Sequence, residues 1–130
     1  MLIATENFRL SNVLKHEYEP SLGYCRETVV INDAAADLKI GTVLGVVTAT
    51  GKYKVCVQTA TDGSQNAAAV LMEDKTIANS TDTKVLALVR GPAIVSKSGL
   101  VLDASFDQDA EKAAAYASLA AKGIVASDAV

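Results

Sequence analysis

Few residues of this 130-residue chain have the types and spacing to do chemistry. His16 is its single histidine, so histidine-based triads and multi-histidine metal sites have no material. A lone histidine in a polar segment reads as a surface residue. Cys25 and Cys56 lie far apart and lack zinc-ligand spacing, and they read as two reduced thiols. Gly45–Lys52 (GVVTATGK) resembles a phosphate-binding loop only faintly. That motif places four residues between its glycines and a Ser or Thr after its lysine, whose hydroxyl holds magnesium. Here the spacing is one residue too long and Tyr53 follows Lys52, which leaves a hairpin turn over Ala49-Thr50-Gly51-Lys52. Asp103, Asp107, Asp109 and Glu111 form the densest carboxylate group, and they read as solvated charges at a helix start. No catalytic, cofactor or metal set emerges, and the chain is expected not to be an enzyme.

Composition narrows the classes further. Twelve basic and fifteen acidic residues give a net charge of -3, and the pI is near 5.0. Without a basic patch, direct nucleic-acid binding is not expected. No apolar run approaches membrane-spanning length, and no export signal opens the chain, so cytosolic synthesis without membrane contact is expected. Half of the residues are hydrophobic, yet only 5% are aromatic and Trp is absent. Alanine and valine supply much of that half, and each buries little area, so association would add useful burial.

The elements that would position any site are mostly strands. Arg26–Asn32 (RETVVIN) is β-branched and reads as a strand, followed by a loop over Asp33–Asp37. Leu38–Val47 reads as a strand interrupted by Gly41 and Gly45, the mark of bends or bulges in a curved sheet. After the hairpin, Tyr53, Val55 and Val57 share one face, and Lys52, Lys54, Cys56 and Gln58 the other. On that polar face Cys56 should be covered by a neighbouring subunit or left as a free thiol. Ala67–Met72 reads as a short buried strand, Glu73–Thr83 as a polar loop, and Lys84–Arg90 as a central strand buried on both sides. Gly91-Pro92 bends the chain, Lys97-Ser98-Gly99 turns it, and Leu100–Leu102 is a further short strand. Ser105 and Gln108 form a candidate capping box for a helix near 106–121, which Gly123 would end. The fold expected is mainly β with one C-terminal helix.

The N-terminal residues differ. Up to Gly23 there is neither a helical stripe nor clean alternation, and Pro20 and Gly23 break regular structure. Yet Phe8, Leu10, Val13, Leu14, Tyr18 and Tyr24 are more apolar than a solvated tail tends to be. They suit an arm, residues 1–26, that becomes ordered on a partner, preceding a β-rich domain over 27–130.

An ordered set of segments carries a family resemblance: GTVLG, TATGKYKV, TATDG, AAAVL and then TDTKVLALVRGPAIV, with HEYEPSLGY in the leading arm. In this order they resemble the phage head decoration proteins of the lambda type, over nearly the whole chain. The resemblance implies a small β-clip barrel with helical additions, acting as a homotrimer on the outside of the virion. It implies binding at three-fold positions of the expanded capsid, with residues 1–26 contacting the major capsid protein by strand addition to a sheet edge. Phe8, Leu10, Val13, Leu14, Tyr18 and Tyr24 are its candidate arm anchors on composition. An alternative is a virion-surface β-module that binds a glycan or receptor, for which four Tyr and no Trp are poor material.

Overall fold

A computed structural model describes residues 13–128, apart from 20 and 22. Its strands are β1 (Leu14–Glu17), β2 (Arg26–Ile31), β3 (Ala36–Leu38), β4 (Val43–Val46), β5 (Tyr53–Val55), β6 (Ala67–Leu71), β7 (Lys75–Ile77), β8 (Thr83–Leu88), β9 (Ala93–Ser96) and β10 (Ile124–Ser127), with a helix α1 (Asp109–Ala120) before the last. Five of them close into a barrel in the order β2-β5-β4-β6-β8. The chain is therefore mostly β with one C-terminal helix, as its composition of runs and turns suggests.

The barrel follows from strands that are apolar on both faces. Leu44, Ala69, Leu71, Val85 and Ala87 join Val29 and Ile31 in one buried cluster, which fills the inside. Their chain neighbours Val43, Val70 and Leu88 belong to a second cluster outside it. That outer cluster lies under the sheet β1-β9-β10 and under α1, and includes Val13, Cys25, Val95, Phe106, Leu119 and Ile124. β8 shows why KVLALVR reads as central: it pairs with β2 and β6, with Val85 and Ala87 inward and Leu86 and Leu88 outward.

Three expectations need correction. The run from Leu38 to Val47 is two strands, because Gly41 at φ +95° turns the chain between β3 and β4. The segments read as loops at Asp33–Asp37 and Glu73–Thr83 contribute a two-stranded ribbon, with Ala36 opposite Ile77 and Leu38 opposite Lys75. Only Leu38 and Ile77 of that ribbon are buried, too little for a period to show. Leu100–Leu102 forms no strand; its one ladder contact is the bridge from Val101 to Thr42.

The helix begins at Asp109, one turn later than Phe106. Ser105 does not cap it, since its hydroxyl accepts the Gln58 N–H at 3.0 Å. Gln108 stands at the N-cap position, its carbonyl accepting from the Glu111 and Lys112 amides. At the other end Gly123 takes φ +84°, and its amide donates to the Ala120 carbonyl, closing the helix. Ala115 and Leu119 are buried beneath it.

Gly45 lets the Ser64 carbonyl lie directly against β4, where a Cβ would collide with the carbonyl oxygen, the carbonyl carbon and the Cα of Ser64. Gly45→Ala is expected to cost about 1–3 kcal/mol, the usual penalty for overfilling a packed site. Chemical denaturation reads it, and an unchanged midpoint would contradict the close approach.

Candidate interaction surfaces

The residues read as an arm divide into distinct environments. Val13 is fully buried in the outer cluster, and Leu14 is half-buried against it. β1 runs antiparallel to β9, with Leu14 opposite Val95 and His16 opposite Ile94 across an irregular step. Glu17 is buried, 7% exposed, and receives one edge of the Arg26 guanidinium: Nε donates to Oε2 at 3.0 Å and Nη2 to Oε1. Such a two-pronged pair fixes orientation as well as charge. The Tyr18 amide donates to the Pro92 carbonyl at 2.8 Å, and the buried Cys25 Sγ lies 3.6 Å from the carbonyl oxygens of Tyr18 and Pro92. Phe8 and Leu10 lie outside the described residues.

Tyr18 and Tyr24, by contrast, meet on the outside. Each is about half exposed, at 49% and 50%, and their rings stand edge to face with centroids 5.7 Å apart. The Arg90 guanidinium lies 5.6 Å from the Tyr24 ring centroid, donates to the Tyr24 carbonyl, and pairs with Glu27 at 2.7 Å. Sequence reading had no reason to select Arg90, which reaches Tyr24 only through tertiary folding, or Glu27, which meets Arg90 in the same way. A further exposed apolar pair, Ile94 and Val125, sits side by side in the ladder of β9 and β10. Each sits inside a continuous apolar run, Ala93–Val95 and Ile124–Ala126, where no alternation marks which residue faces out.

Lys52 and Asp103, two of the groups that looked chemically suggestive, are engaged structurally. Lys52 closes the hairpin by accepting the Val47 amide on its carbonyl, while its ammonium pairs with Asp82 at 3.0 Å. Asn32 donates to the same Asp82 carboxylate at 2.7 Å, and these contacts hold Asp82 below the usual carboxylate range. Asp103 accepts the Ser105 amide at 3.0 Å. Among the described residues, no three His, Cys, Asp or Glu side chains gather to hold a metal.

A family model described as bacteriophage lambda head decoration protein D matches residues 3–124. The chain belongs to that family. No curated protein matches it. The family is one of structural proteins of the phage head, which places a capsid-decorating role and a virion location on this chain. No described helix is long and apolar enough to cross a membrane.

In this head decoration protein Cys56 corrects an expectation. β5 ends at Val55, and Cys56 turns into the chain's own outer cluster, fully buried. Its amide donates to the Val43 carbonyl and its thiol to the Gln65 carbonyl at 3.4 Å. Both cysteines are free thiols. Burial, and secondarily the Asp103 charge, push the Cys56 thiol up to about 11. The folded state thus holds this proton more tightly than the unfolded chain does. That contribution is complete below about pH 9 and is lost as pH rises through about 11. Cys56→Ala should therefore flatten the fall in stability over that window, measured by denaturation at stepped pH. An identical fall in both proteins would show that another group causes it.

Proposed function

We propose that this chain cements the outer surface of the expanded phage capsid, binding as a homotrimer at three-fold positions and contacting the major capsid protein through its N-terminal segment. Membership of the head decoration family over residues 3–124 carries this reading. The burial of Val13 and the Glu17–Arg26 pair support a division of labour within residues 1–26. Residues 1–12, with Phe8 and Leu10, are the part offered to the capsid, and Val13 to Arg26 fastens that part to the body. Exposed Tyr18 and Tyr24 lie at the base, where they can flank the contact.

Strand addition would take affinity from backbone hydrogen bonds and selectivity from alternate side chains. Three segments per trimer would reinforce one another, since the first to engage raises the effective concentration of the others. Binding only the expanded lattice would stabilise it by mass action. The test is to mix purified protein with undecorated expanded heads and image them. Trimeric density over three-fold positions is the expected result. Bare heads, or density elsewhere on the lattice, would overturn the placement.

A further inference from the structure

Of the eight glycines in the chain, only Gly63 follows an aspartate or an asparagine. An Asp-Gly pair is open to a spontaneous change of the main chain. The glycine nitrogen can attack the carboxyl carbon of the residue before it, since glycine has no Cβ to hinder the approach. A C–N bond forms, the amide proton and the carboxyl hydroxyl leave as water, and a five-membered succinimide results. Water then opens the ring at either carbonyl. Opening at the main-chain carbonyl gives isoaspartate, whose chain runs on through Cβ and Cγ, with no net change in mass.

In the loop between β5 and β6 both reacting groups are held elsewhere. The Gly63 amide donates to the Gln65 side-chain oxygen at 2.8 Å. One carboxylate oxygen of Asp62 accepts the Ser64 amide at 3.0 Å and the Ser64 hydroxyl as well. Those bonds, with the Lys54 ammonium at 3.8 Å, hold the Asp62 carboxyl below the usual carboxylate range, in the ionised form that resists attack. The loop has little room to turn and free them. Ser64 is buried with its carbonyl against Gly45, and the Asp62 carbonyl accepts the Thr48 amide at 2.9 Å. Gly63 itself lies at φ +104°, with Thr48 Oγ1 and the Val46 carbonyl where a Cβ would stand. We propose that Asp62-Gly63 is a site of aspartate isomerisation that the fold keeps shut, with the Gln65 carboxamide as the latch on the attacking nitrogen. Once isomerised, the main chain is one atom longer there. The Thr48–Asp62 bond and the Ser64–Gly45 approach could then not both be kept.

Ageing of the purified full chain at neutral pH, with isoaspartate at residue 62 located by peptide mapping, tests this without any capsid. Its outcome is therefore separate from the decorating role. Wild-type protein unfolded in urea sets the open rate. The folded protein is expected to isomerise at least about tenfold more slowly, since the packed loop must open first. Gln65→Ala removes the latch but keeps the main-chain carbonyl that accepts the Cys56 thiol. It should raise the folded rate about fivefold, the effect of one ordinary hydrogen bond. Gln65→Glu, which keeps an acceptor for the Gly63 amide, should stay near wild type. Deamidation of Asn79, which also precedes a small residue, reports general opening in the same samples. Hydrogen exchange of the wild-type Gly63 amide serves if the alanine variant misfolds, and it should be slowed relative to the unfolded chain. Equal isomerisation in folded and unfolded wild type would overturn the proposal. So would Gly63 exchange at the unfolded rate, or a folded Gln65→Ala that isomerises no faster than wild type once the Asn79 rate is allowed for.

Discussion

Arg26→Ala is expected to destabilise the protein by about 3 kcal/mol, near the lower end of the range for breaking a buried pair. The loss comes from Glu17. Its side chain is only 4% exposed, and without the guanidinium its charge stays buried with no counter-charge. Arg26 is itself 26% exposed, so water screens the pair from one side and keeps the cost from the top of that range. Against a total stability of about 5–15 kcal/mol, a loss of this size is large. Urea denaturation of the variant measures it. Arg26→Ala combined with Glu17→Gln should recover part of the loss, since the amide no longer strands a charge. If the single and double variants unfold at the wild-type midpoint, the pair does not hold β1 to the body.

That same pair explains why the N-terminal region was hard to read. β1 is LKHE, and the residue it buries is its glutamate, while Lys15 and His16 face out. A charged residue in the buried position hides the apolar alternation that marks a strand. The partner that makes its burial tolerable is nine positions along the chain, and the strand it pairs with, β9, is far beyond that. Neither relation is local. Where burial follows side-chain type the sequence was legible: β2, the β4–β5 hairpin, β6, β8 and the body of α1 all lie where their apolar and β-branched runs fall. Cys56 failed for a further reason. Period-2 alternation was extended past Val55, where the backbone leaves the strand and brings the thiol inward. A cleft beside α1 was invisible, because Gln58, Gln65 and Asn66, on the loop between β5 and β6, meet Phe106 and α1 only in the folded chain. From the sequence, the carboxylates near it looked uniformly solvated.

Two truncations separate the grip on the capsid from the integrity of the body. Removing residues 1–12 is expected to leave the thermal midpoint nearly unchanged, since Val13, β1 and the Glu17–Arg26 pair all remain. Occupancy on expanded heads should nevertheless fall by tenfold or more, the effect of about 1.4 kcal/mol or greater in affinity. Removing residues 1–23 should do something different. It strips Val13 from the outer cluster, at about 1.5–3 kcal/mol for a buried side chain of that size. It also takes Glu17 from Arg26 and exposes the edge of β9, an invitation to pair with another chain. That protein should melt early or aggregate, so its failure to decorate heads would say little about recognition. The shorter deletion is the decisive one. Wild-type occupancy after removing residues 1–12 would move recognition into the folded body, with the exposed Tyr18–Tyr24–Arg90 group the first surface to mutate. A midpoint that drops as far as that of the longer deletion would mean that residues 1–12 belong to the packed structure and are not an independent grip.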